Sequence, residues 1–228
     1  MAPRRAGLET RWADDKERTI WYHGGAAYWA NTAESNDGVL GGFGDVHEAD
    51  TEDSLRFARR CGVPSSKRNG GERVLRALDV ASGIGRVTGG ALLELCDTVD
   101  LVEVRARLLS QATRLATIDP RVCGPQGCHK FVERAKVDLA WAAPRVERFI
   151  CETMQDFTPE AGRYDVIWLQ WCIGCVTDDD LVTFLSRCCD GLTPNGMIVI
   201  KDNVLDGPCA GLVNGKYLVD HDDNSVRL

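Results

Sequence analysis

A glycine-rich turn between an apolar run and a helical pattern is the stretch whose residues are best suited to chemistry. Residues 74–88 read VLRALDVASGIGRVT, so an apolar segment reaches Asp79 and then passes through Gly83 and Gly85. Glycine permits a positive φ and a close approach of backbone to ligand, and free N–H groups at a helix start attract anions. The residues predict a strand, a loop that holds a phosphate or carboxylate group, and a helix.

A second acid ends the next apolar run. Residues 99–103 read VDLVE and finish on Glu103. In nucleoside-binding βαβ units an acid about 20 residues beyond the glycine turn binds the ribose hydroxyls. A Gly-x-Gly turn also occurs in ordinary strand-to-helix connections, so the spacing to Glu103 is what favours a nucleoside site.

The composition is that of one α/β domain. A chain of 228 residues can bury roughly 70% of its unfolded surface. The net charge of −7 argues against sequence-independent nucleic-acid binding and permits a cationic substrate. No apolar run reaches the length of a membrane span, and the start MAPRRAGLET lacks the apolar core of a signal peptide. We expect a monomer of the cytoplasm and nucleus that binds neither membrane nor nucleic acid directly.

The cysteines are expected to be free buried thiols, because a chain of this size does not need disulfides. Five of them fall in apparent strands and helices: Cys96, Cys151, Cys172, Cys188 and Cys189. Cys123, Cys128 and His129 have a spacing that a metal can use, but no second pair stands nearby. The same objection applies to Cys172 and Cys175, so no metal site is expected.

Apolar runs that alternate with helical patterns predict parallel strands covered on both faces. After the first strand, which precedes the glycine turn, strands are expected at 97–103, 145–151, 164–169 and 197–201. Helices are expected at 86–95, 105–116 and 178–192, and a tight turn is expected at 194–196. The predicted fold class is α/β, a Rossmann-like and mostly parallel sheet in a single domain, 1–228. Its core is 73–228 with a surface insertion at 118–144.

Residues 1–62 are expected to form an N-terminal helical extension. A helix is predicted at 20–31, followed by the segment DGVLGGFG at 37–44, whose apolar side chains indicate a loop that folds over a pocket. A plain surface loop is the alternative. The next helix is predicted to begin with a cap at Asp50 and to end at Gly62.

The residues just past the predicted strands lie where parallel sheets bind ligands. The informative segments are Tyr28-Trp29, DGVLGGFG at 37–44, LDVASGIGRVT at 78–88, MQDFTPE at 154–160, YDVIWLQWCIG at 164–174 and PNGMIVIKDN at 194–203. Together they resemble the α-N-terminal protein methyltransferases. These enzymes use S-adenosyl-L-methionine to methylate the free α-amine of proteins that begin Xaa-Pro-Lys or Xaa-Pro-Arg. The resemblance implies a class I methyltransferase fold that covers the substrate with its N-terminal segment and releases S-adenosyl-L-homocysteine.

The resemblance implies a cofactor site around the glycine turn. Ala81, Gly83 and Arg86 would surround the methionine end, with Arg86 paired to the carboxylate. Glu103 would bind the ribose hydroxyls, Met154 and Gln155 would flank the adenine, and Gln170 would approach from the end of the fourth strand. The two ribose hydroxyls suit the charged acceptor of Glu103, and the cofactor carboxylate suits the two parallel N–H groups of the Arg86 guanidinium.

The resemblance also implies a peptide site, made of Trp29, Leu40, Gly41, Val46, Trp171, Asp220 and Ser225. Asp223 would accept the proton of the amine and Asn203 would orient it. Carboxylates suit a substrate that carries an ammonium and a Lys or Arg, and flat rings suit its proline. Without the resemblance, Trp29 and Trp171 would be core aromatics and the acids at 220–223 a solvated face.

Two departures from the family keep alternatives open. Cys175 stands where the family carries a histidine, which removes a second proton acceptor or replaces it with a weak one. The chain ends at Leu228, whereas family members continue with a helix and further strands, so the sheet is expected to lack its last strands and to expose an apolar edge. The alternatives are a methyltransferase for another substrate class, such as a small amine or carboxylate, and a non-catalytic peptide-binding relative.

Overall fold

A five-stranded parallel sheet forms the centre of the protein. The computed structural model describes residues 15–65, 73–104, 130–203, 217–219 and 225–227. The strands are β1 (Arg76–Val80), β2 (Thr98–Glu103), β3 (Val146–Cys151), β4 (Tyr164–Gln170) and β5 (Leu192–Lys201). Their order is β3-β2-β1-β4-β5, and every neighbouring pair is parallel. The prediction of a parallel α/β sheet is confirmed. Two short strands, β6 (Tyr217–Val219) and β7 (Ser225–Arg227), pair antiparallel beside it.

Helices precede the sheet and connect its strands. They are α1 (Asp15–Asn31), α2 (Asn36–Val39), α3 (His47–Cys61), α4 (Leu93–Leu95), α5 (Lys130–Asp138) and α6 (Asp178–Gly191). A π-helical stretch, Thr88–Leu92, leads into α4, so helical backbone runs from 86 to 95 as predicted. Short 3-10 turns lie at Gly44–Val46, Ala140–Arg145 and Ile173–Cys175. The helix predicted at 105–116 lies outside the described residues.

Alternate residues of the central strands enter two different apolar clusters, one on each face of the sheet. In β4, Val166 and Trp168 join the cluster that includes residues of α3 and α5, whereas Ile167 and Leu169 join the cluster that includes residues of α6. All seven residues of β4 are buried. Burial on both faces is why this strand reads as a continuous apolar run rather than an alternating one.

Helix α1 is fastened to the start of α6 by polar contacts. The hydroxyl of Thr177 caps α6 by accepting from the backbone N–H of Asp180 at 3.3 Å. The Asp180 carboxylate in turn binds Arg18 and accepts from the Tyr22 hydroxyl. The indole N–H of Trp21 donates to the Cys175 carbonyl at 3.3 Å. These contacts hold the N-terminal helix beside the segment that follows β4.

Two predicted boundaries are wrong. Helix α3 begins at His47 without a side-chain cap, and Asp50 is buried inside it rather than capping it; its end is as predicted, with Gly62 at φ 73°. Strand β5 begins at Leu192, and its register with β4 shifts across the segment predicted as a tight turn, 194–196. The chain bulges there and keeps its direction.

Two residues at the carboxyl ends of neighbouring strands have a left-handed backbone. Ala81 follows β1 with φ 53°, and Trp171 follows β4 with φ 55°. Within the described ranges, Ala81 and Trp171 are the only non-glycine residues with a positive φ. Both lie at the edge of the sheet where parallel folds bind ligands. The left-handed conformation costs a residue with a Cβ about 1–2 kcal/mol.

Replacing Ala81 with glycine should therefore stabilise the fold. We expect Ala81→Gly to raise the free energy of unfolding by about 1 kcal/mol, because the left-handed strain disappears while glycine's backbone entropy offsets part of the gain. The control is Ala77→Gly in β1, a buried position with ordinary strand geometry, which should destabilise. Urea unfolding of both variants measures the two changes, and a loss of stability in both would contradict the strain at Ala81.

Candidate cofactor and substrate site

The glycine turn is anchored to the sheet by Asp79. Its buried carboxylate accepts from the Thr88 hydroxyl at 2.6 Å and from the Thr88 backbone N–H at 3.1 Å. Burial raises the pKa of Asp79 to about 6, although the bonds from Thr88 and the charge of Arg86 oppose that shift. The carboxylate thus fixes the start of the helix relative to β1, and with it the path of the turn between them.

The two glycines of the turn are needed for different reasons. Gly83 has φ 56°, and a Cβ placed there would lie 3.7 Å from Cγ1 of Val39, which is ordinary contact. Gly85 has φ 77°, and a Cβ there would meet Cδ1 of Leu139 at 2.7 Å. Gly83 therefore supplies backbone freedom, whereas Gly85 also permits close packing beneath the turn.

Glu103 lies directly beside this turn. Its Oε2 accepts from the backbone N–H of Gly83 at 2.7 Å, and the side chain is buried at the end of β2. Burial raises the pKa of Glu103 to about 7, against hydrogen bonds from the backbone of Gly83 and Val104. The structure thus brings together the glycine turn and the acid that the sequence predicted to cooperate, and it provides a buried acceptor of the kind that a ribose diol needs.

The expected adenine residues lie on a loop after β3 that a single arginine holds. Met154 is buried in the apolar cluster on the α6 face, and Gln155 is half-buried. Arg187 of α6 donates from Nη2 to the carbonyls of Met154 and Gln155 at 2.6 and 3.0 Å, and from Nε to Phe157 at 3.0 Å. The guanidinium therefore fixes the backbone of 154–157, a function that the sequence analysis missed.

Arg86 is buried near the same edge of the sheet and is held on two sides. Its Nη1 donates to Oδ2 of Asp50 at 2.7 Å, and its guanidinium lies 4.8 Å from the ring centroid of Trp171. Gln170, the last residue of β4, donates its amide to the same Asp50 oxygen at 2.7 Å. The structure therefore brings Arg86, Gln170 and Trp171, which the sequence analysis assigned to the site, together with Asp50. The sequence analysis did not assign Asp50 to the site.

The ends of β4 and β5 are tied together beside Trp171. The backbone N–H of Trp171 donates to the Lys201 carbonyl at 2.9 Å. Asp202 accepts from the backbone of Ile173 at 3.1 Å and from that of Asn203 at 2.8 Å. Asn203 is exposed at the end of β5, so its side chain is accessible at this edge.

The segment after α1 lies beside the glycine turn, since Cγ1 of Val39 is 3.7 Å from the position that a Cβ on Gly83 would take. Leu40 is buried, Gly41 is exposed with φ 61°, and Val46 is 36% exposed. The backbone N–H of Gly44 donates to Asp37 at 3.2 Å and closes the loop. Val39 thus lies beside Gly83, and the expectation that this loop folds over a pocket stays a prediction.

Trp29 lies apart from those contacts. It is half-buried at the end of α1 and meets the ring of Phe131 edge to face, at 6.2 Å between centroids. Ser225 begins β7, which lies close to the Ile173–Cys175 turn. Asp220 and Asp223 lie outside the described residues, as do Cys123, Cys128 and His129.

The cysteines of the described ranges form no disulfide with one another. Cys96, Cys172 and Cys188 are buried as expected, Cys151 and Cys175 are half-buried, and Cys189 is exposed, which corrects the expectation of a buried thiol there. No group of potential metal ligands and no helix long and apolar enough to cross a membrane occurs in the parts of the chain that the structure describes.

A parallel sheet with a glycine turn after its first strand and a buried acid after its second is the fold and site of a class I methyltransferase. The chain belongs to the family described as AdoMet dependent proline di-methyltransferase, whose model matches residues 17–125 and 125–227. This confirms the resemblance and, with it, S-adenosyl-L-methionine as the cofactor. The residues of the site fit that cofactor chemically: a buried carboxylate for the diol, a guanidinium for the carboxylate and an apolar Met154 for the ring.

Named relatives cover most of the chain. Alpha N-terminal protein methyltransferase 1 of Arabidopsis thaliana is 36% identical over 93% of this chain and 67% of its own length. The protein of the same name from Oryza sativa subsp. indica is 39% identical, with 92% and 60% covered. N-terminal Xaa-Pro-Lys N-methyltransferase 1-B of Xenopus laevis is also 39% identical, with 83% and 73% covered. The chain thus spans 60 to 73% of the length of these relatives.

The fold agrees with a solved structure from the family. A SAM-dependent methyltransferase of Leishmania major superposes with a TM-score of 0.67 at 33% identity, over 91% of this chain and 68% of the other. The Rossmann-like class I fold is therefore confirmed.

Arg187→Lys should weaken adenine-nucleoside binding. A lysine ammonium is a point donor and cannot hold three carbonyls as the planar guanidinium does, so the loop 154–157 should lose order. We expect the affinity for 5′-methylthioadenosine to fall about tenfold, the equivalent of one lost charged hydrogen bond. Calorimetry measures it, and Arg56→Lys on the exposed face of α3 is the control. Unchanged affinity in Arg187→Lys would show that the loop does not depend on Arg187.

Affinity for S-adenosylhomocysteine should rise as the pH passes through about 7. Burial holds the pKa of Glu103 at about 7 instead of 4.5, so the side chain is protonated in much of the protein below that pH. Ribose hydroxyls donate to the ionised form, so binding favours proton release. We expect affinity to increase from pH 6 to pH 8 and to level off above it.

Glu103→Gln should remove most of this pH dependence and weaken binding at pH 8, because the amide offers no charged acceptor at any pH. Asp79, whose pKa is raised to about 6, remains in that variant and serves as the internal control. A pH profile that survives in Glu103→Gln would assign the titration to Asp79.

Proposed function

We propose that the chain transfers methyl groups from S-adenosyl-L-methionine to the free α-amine of proteins that begin Xaa-Pro-Lys or Xaa-Pro-Arg. The observation that carries the proposal is that two expected peptide-binding elements lie beside the cofactor residues. Val39 of the glycine-rich segment lies beside Gly83, and Trp171 covers the guanidinium of Arg86. A peptide held between these elements would present its amine beside the methionine end of the cofactor.

The names of the relatives support the same substrate class, since the Xenopus laevis protein is an N-terminal Xaa-Pro-Lys N-methyltransferase. The cofactor supplies an activated methyl group. The protein must hold the amine in line with that group and remove its proton, because an N-terminal ammonium has a pKa of about 7.7–8.0 and lacks the lone pair that attacks. We assign proton removal to Asp223 and orientation of the amine to Asn203.

The rest of the peptide site follows from the substrate's charge. Asp220 and Asp223 would meet its cations, Ser225 would add a hydrogen bond, and Trp29, Leu40, Gly41 and Val46 would form walls around its first residues. The thiol of Cys175 is half-buried and is a weak proton acceptor in the place of the family's histidine. We assign it no proton transfer.

We further propose a monomer of the cytoplasm and nucleus, with residues 1–62 covering the substrate and 73–228 forming the core.

The decisive assay uses a Ser-Pro-Lys-Arg peptide and S-adenosyl-L-methionine, with mass spectrometry of the product. A gain of methyl mass on the free peptide, and none on the same peptide with an acetylated N-terminus, supports the proposal. Methylation of small amines alone would place the chain in another substrate class. Peptide binding without turnover would make it a non-catalytic relative.

Asp223→Asn should lower kcat by about 100-fold, the usual contribution of a positioned base, while S-adenosylhomocysteine affinity stays within twofold. The loss should shrink above pH 9, where the amine is already neutral. Asp222→Asn, at the neighbouring acid, is the matched control and should keep most activity. Equal losses in turnover and cofactor affinity would contradict the assignment of Asp223.

A further inference from the structure

Asp50 lies at the centre of a buried polar cluster that joins three elements. Its Oδ2 accepts from Arg86 Nη1 and from Gln170 Nε2, each at 2.7 Å, and its Oδ1 accepts from Lys201 Nζ at 2.7 Å. Arg86 belongs to the helix after the glycine turn, Gln170 ends β4, and Lys201 ends β5. The side chains of Asp50 and Arg86 are only 6% and 7% exposed. One carboxylate of α3 therefore contacts a donor from each of three elements at the carboxyl edge of the sheet.

The contacts of Arg86 determine the direction of its guanidinium. The Trp171 ring lies on one side of the group, with its centroid 4.8 Å from Cζ, and the bond from Nη1 to Asp50 restricts the rotation of the guanidinium. An arginine can bind a ligand carboxylate with two parallel hydrogen bonds only when its plane and its rotation both match. Asp50 thus sets one of the two orientations that such a contact requires.

The amide of Gln170 is oriented by the same oxygen. Its Oε1 accepts from the Trp168 indole at 2.9 Å and from the Ser54 hydroxyl at 3.3 Å, so its Nε2 is the side that faces Asp50. Lys201 Nζ also donates to the Ser54 hydroxyl at 3.0 Å and to the Asp50 carbonyl at 3.0 Å. The donors of Arg86, Gln170 and Lys201 thus meet at the Asp50 carboxylate.

We propose that Asp50 is a positioning residue for the methionine end of the cofactor, acting through Arg86 and Gln170. The proposal rests on the proposed function, because it takes Arg86 as the partner of the cofactor carboxylate. A buried carboxylate between two cations and an amide donor is costly to desolvate, and hydrophobic residues of similar size would fill the same space. The ionic arrangement orients Arg86, which hydrophobic residues in its place would not do.

The chemistry of the cluster makes aspartate hard to replace. All three side-chain partners of the Asp50 carboxylate are donors: a guanidinium, an ammonium and an amide. Asparagine has the same shape, but its NH₂ group would face at least one of these donors, and no negative charge would separate Arg86 from Lys201. Asp50→Asn should therefore let Arg86 rotate away while leaving the ribose and adenine contacts unaltered.

The test compares two ligands that share the nucleoside and differ at the amino-acid end. S-adenosylhomocysteine carries the carboxylate, and 5′-methylthioadenosine lacks the amino-acid group. We expect Asp50→Asn to weaken S-adenosylhomocysteine at least tenfold in calorimetry and to change 5′-methylthioadenosine by less than twofold. Glu52→Gln removes an exposed carboxylate from the same helix and should change neither.

A double-mutant cycle with Arg86→Met separates a positioning role from a general one. Arg86→Met alone should produce the same ligand-selective loss, and Asp50→Asn should add less than twofold to it. Equal losses for both ligands, unchanged or tighter S-adenosylhomocysteine binding in Asp50→Asn, or independent losses in the double variant would each overturn the proposal. Wild-type protein that binds neither ligand would instead overturn the proposed function.

Asp50→Glu keeps the negative charge and provides a second route if Asp50→Asn does not fold. The longer side chain should shift Arg86 and give a smaller loss, about threefold or more, that is again confined to S-adenosylhomocysteine. Retained 5′-methylthioadenosine binding shows that a variant is folded. If neither variant folds, Asp50 is required for folding itself and the positioning role is wrong.

Discussion

Three buried carboxylates organise the carboxyl edge of the sheet, because none of them can remain there without donors. Asp79 draws its donors from Thr88, Glu103 from the backbone of Gly83, and Asp50 from Arg86, Gln170 and Lys201. The bonds of Asp79 join β1 to the helix that follows it, whereas those of Glu103 and Asp50 join elements that are further apart in the chain. The cost of burying these groups therefore fixes how the glycine turn, the ends of β2, β4 and β5, and helix α3 lie relative to one another.

The same edge contains the two non-glycine residues with left-handed backbone, Ala81 and Trp171. At Trp171 the conformation is held by a hydrogen bond from its N–H to Lys201 and by the Arg86 guanidinium against its ring. At Ala81 the neighbouring Ser82 N–H donates to the Val102 carbonyl at 3.1 Å. Strain at these two positions is balanced by contacts with the adjoining strands, which is how ligand-binding edges retain unfavourable backbone.

The sequence predicted what depends on local pattern. The apolar runs identified the strands, and the glycine turn and Glu103 predicted the pairing that the Gly83–Glu103 bond shows. Asp50 was misinterpreted as a cap because its partners lie far along the chain, although Asp50, Ser54 and Ala58 recur every four residues and mark the buried face of α3. Arg187 left no such signal, since it binds backbone carbonyls, which every residue type offers. The bulge in β5 could not be distinguished from a turn because Pro194 and Gly196 suit both.

The two halves of the site share their supporting residues. Val39 of the expected peptide-covering segment lies beside the turn that carries Gly83, and Trp171 of the expected peptide wall lies over the guanidinium of Arg86. Arg86 is in turn fixed by Asp50, which lies four residues beyond Val46 on the helix that continues the covering segment. A shift of α3 would thus move the covering segment, the Arg86 guanidinium and Trp171 together. Under the proposed function the amine and the methyl donor must be held in line, because a misplacement of about 1 Å is costly in rate, and a rigid cluster that supports both sides of the crevice would provide that alignment.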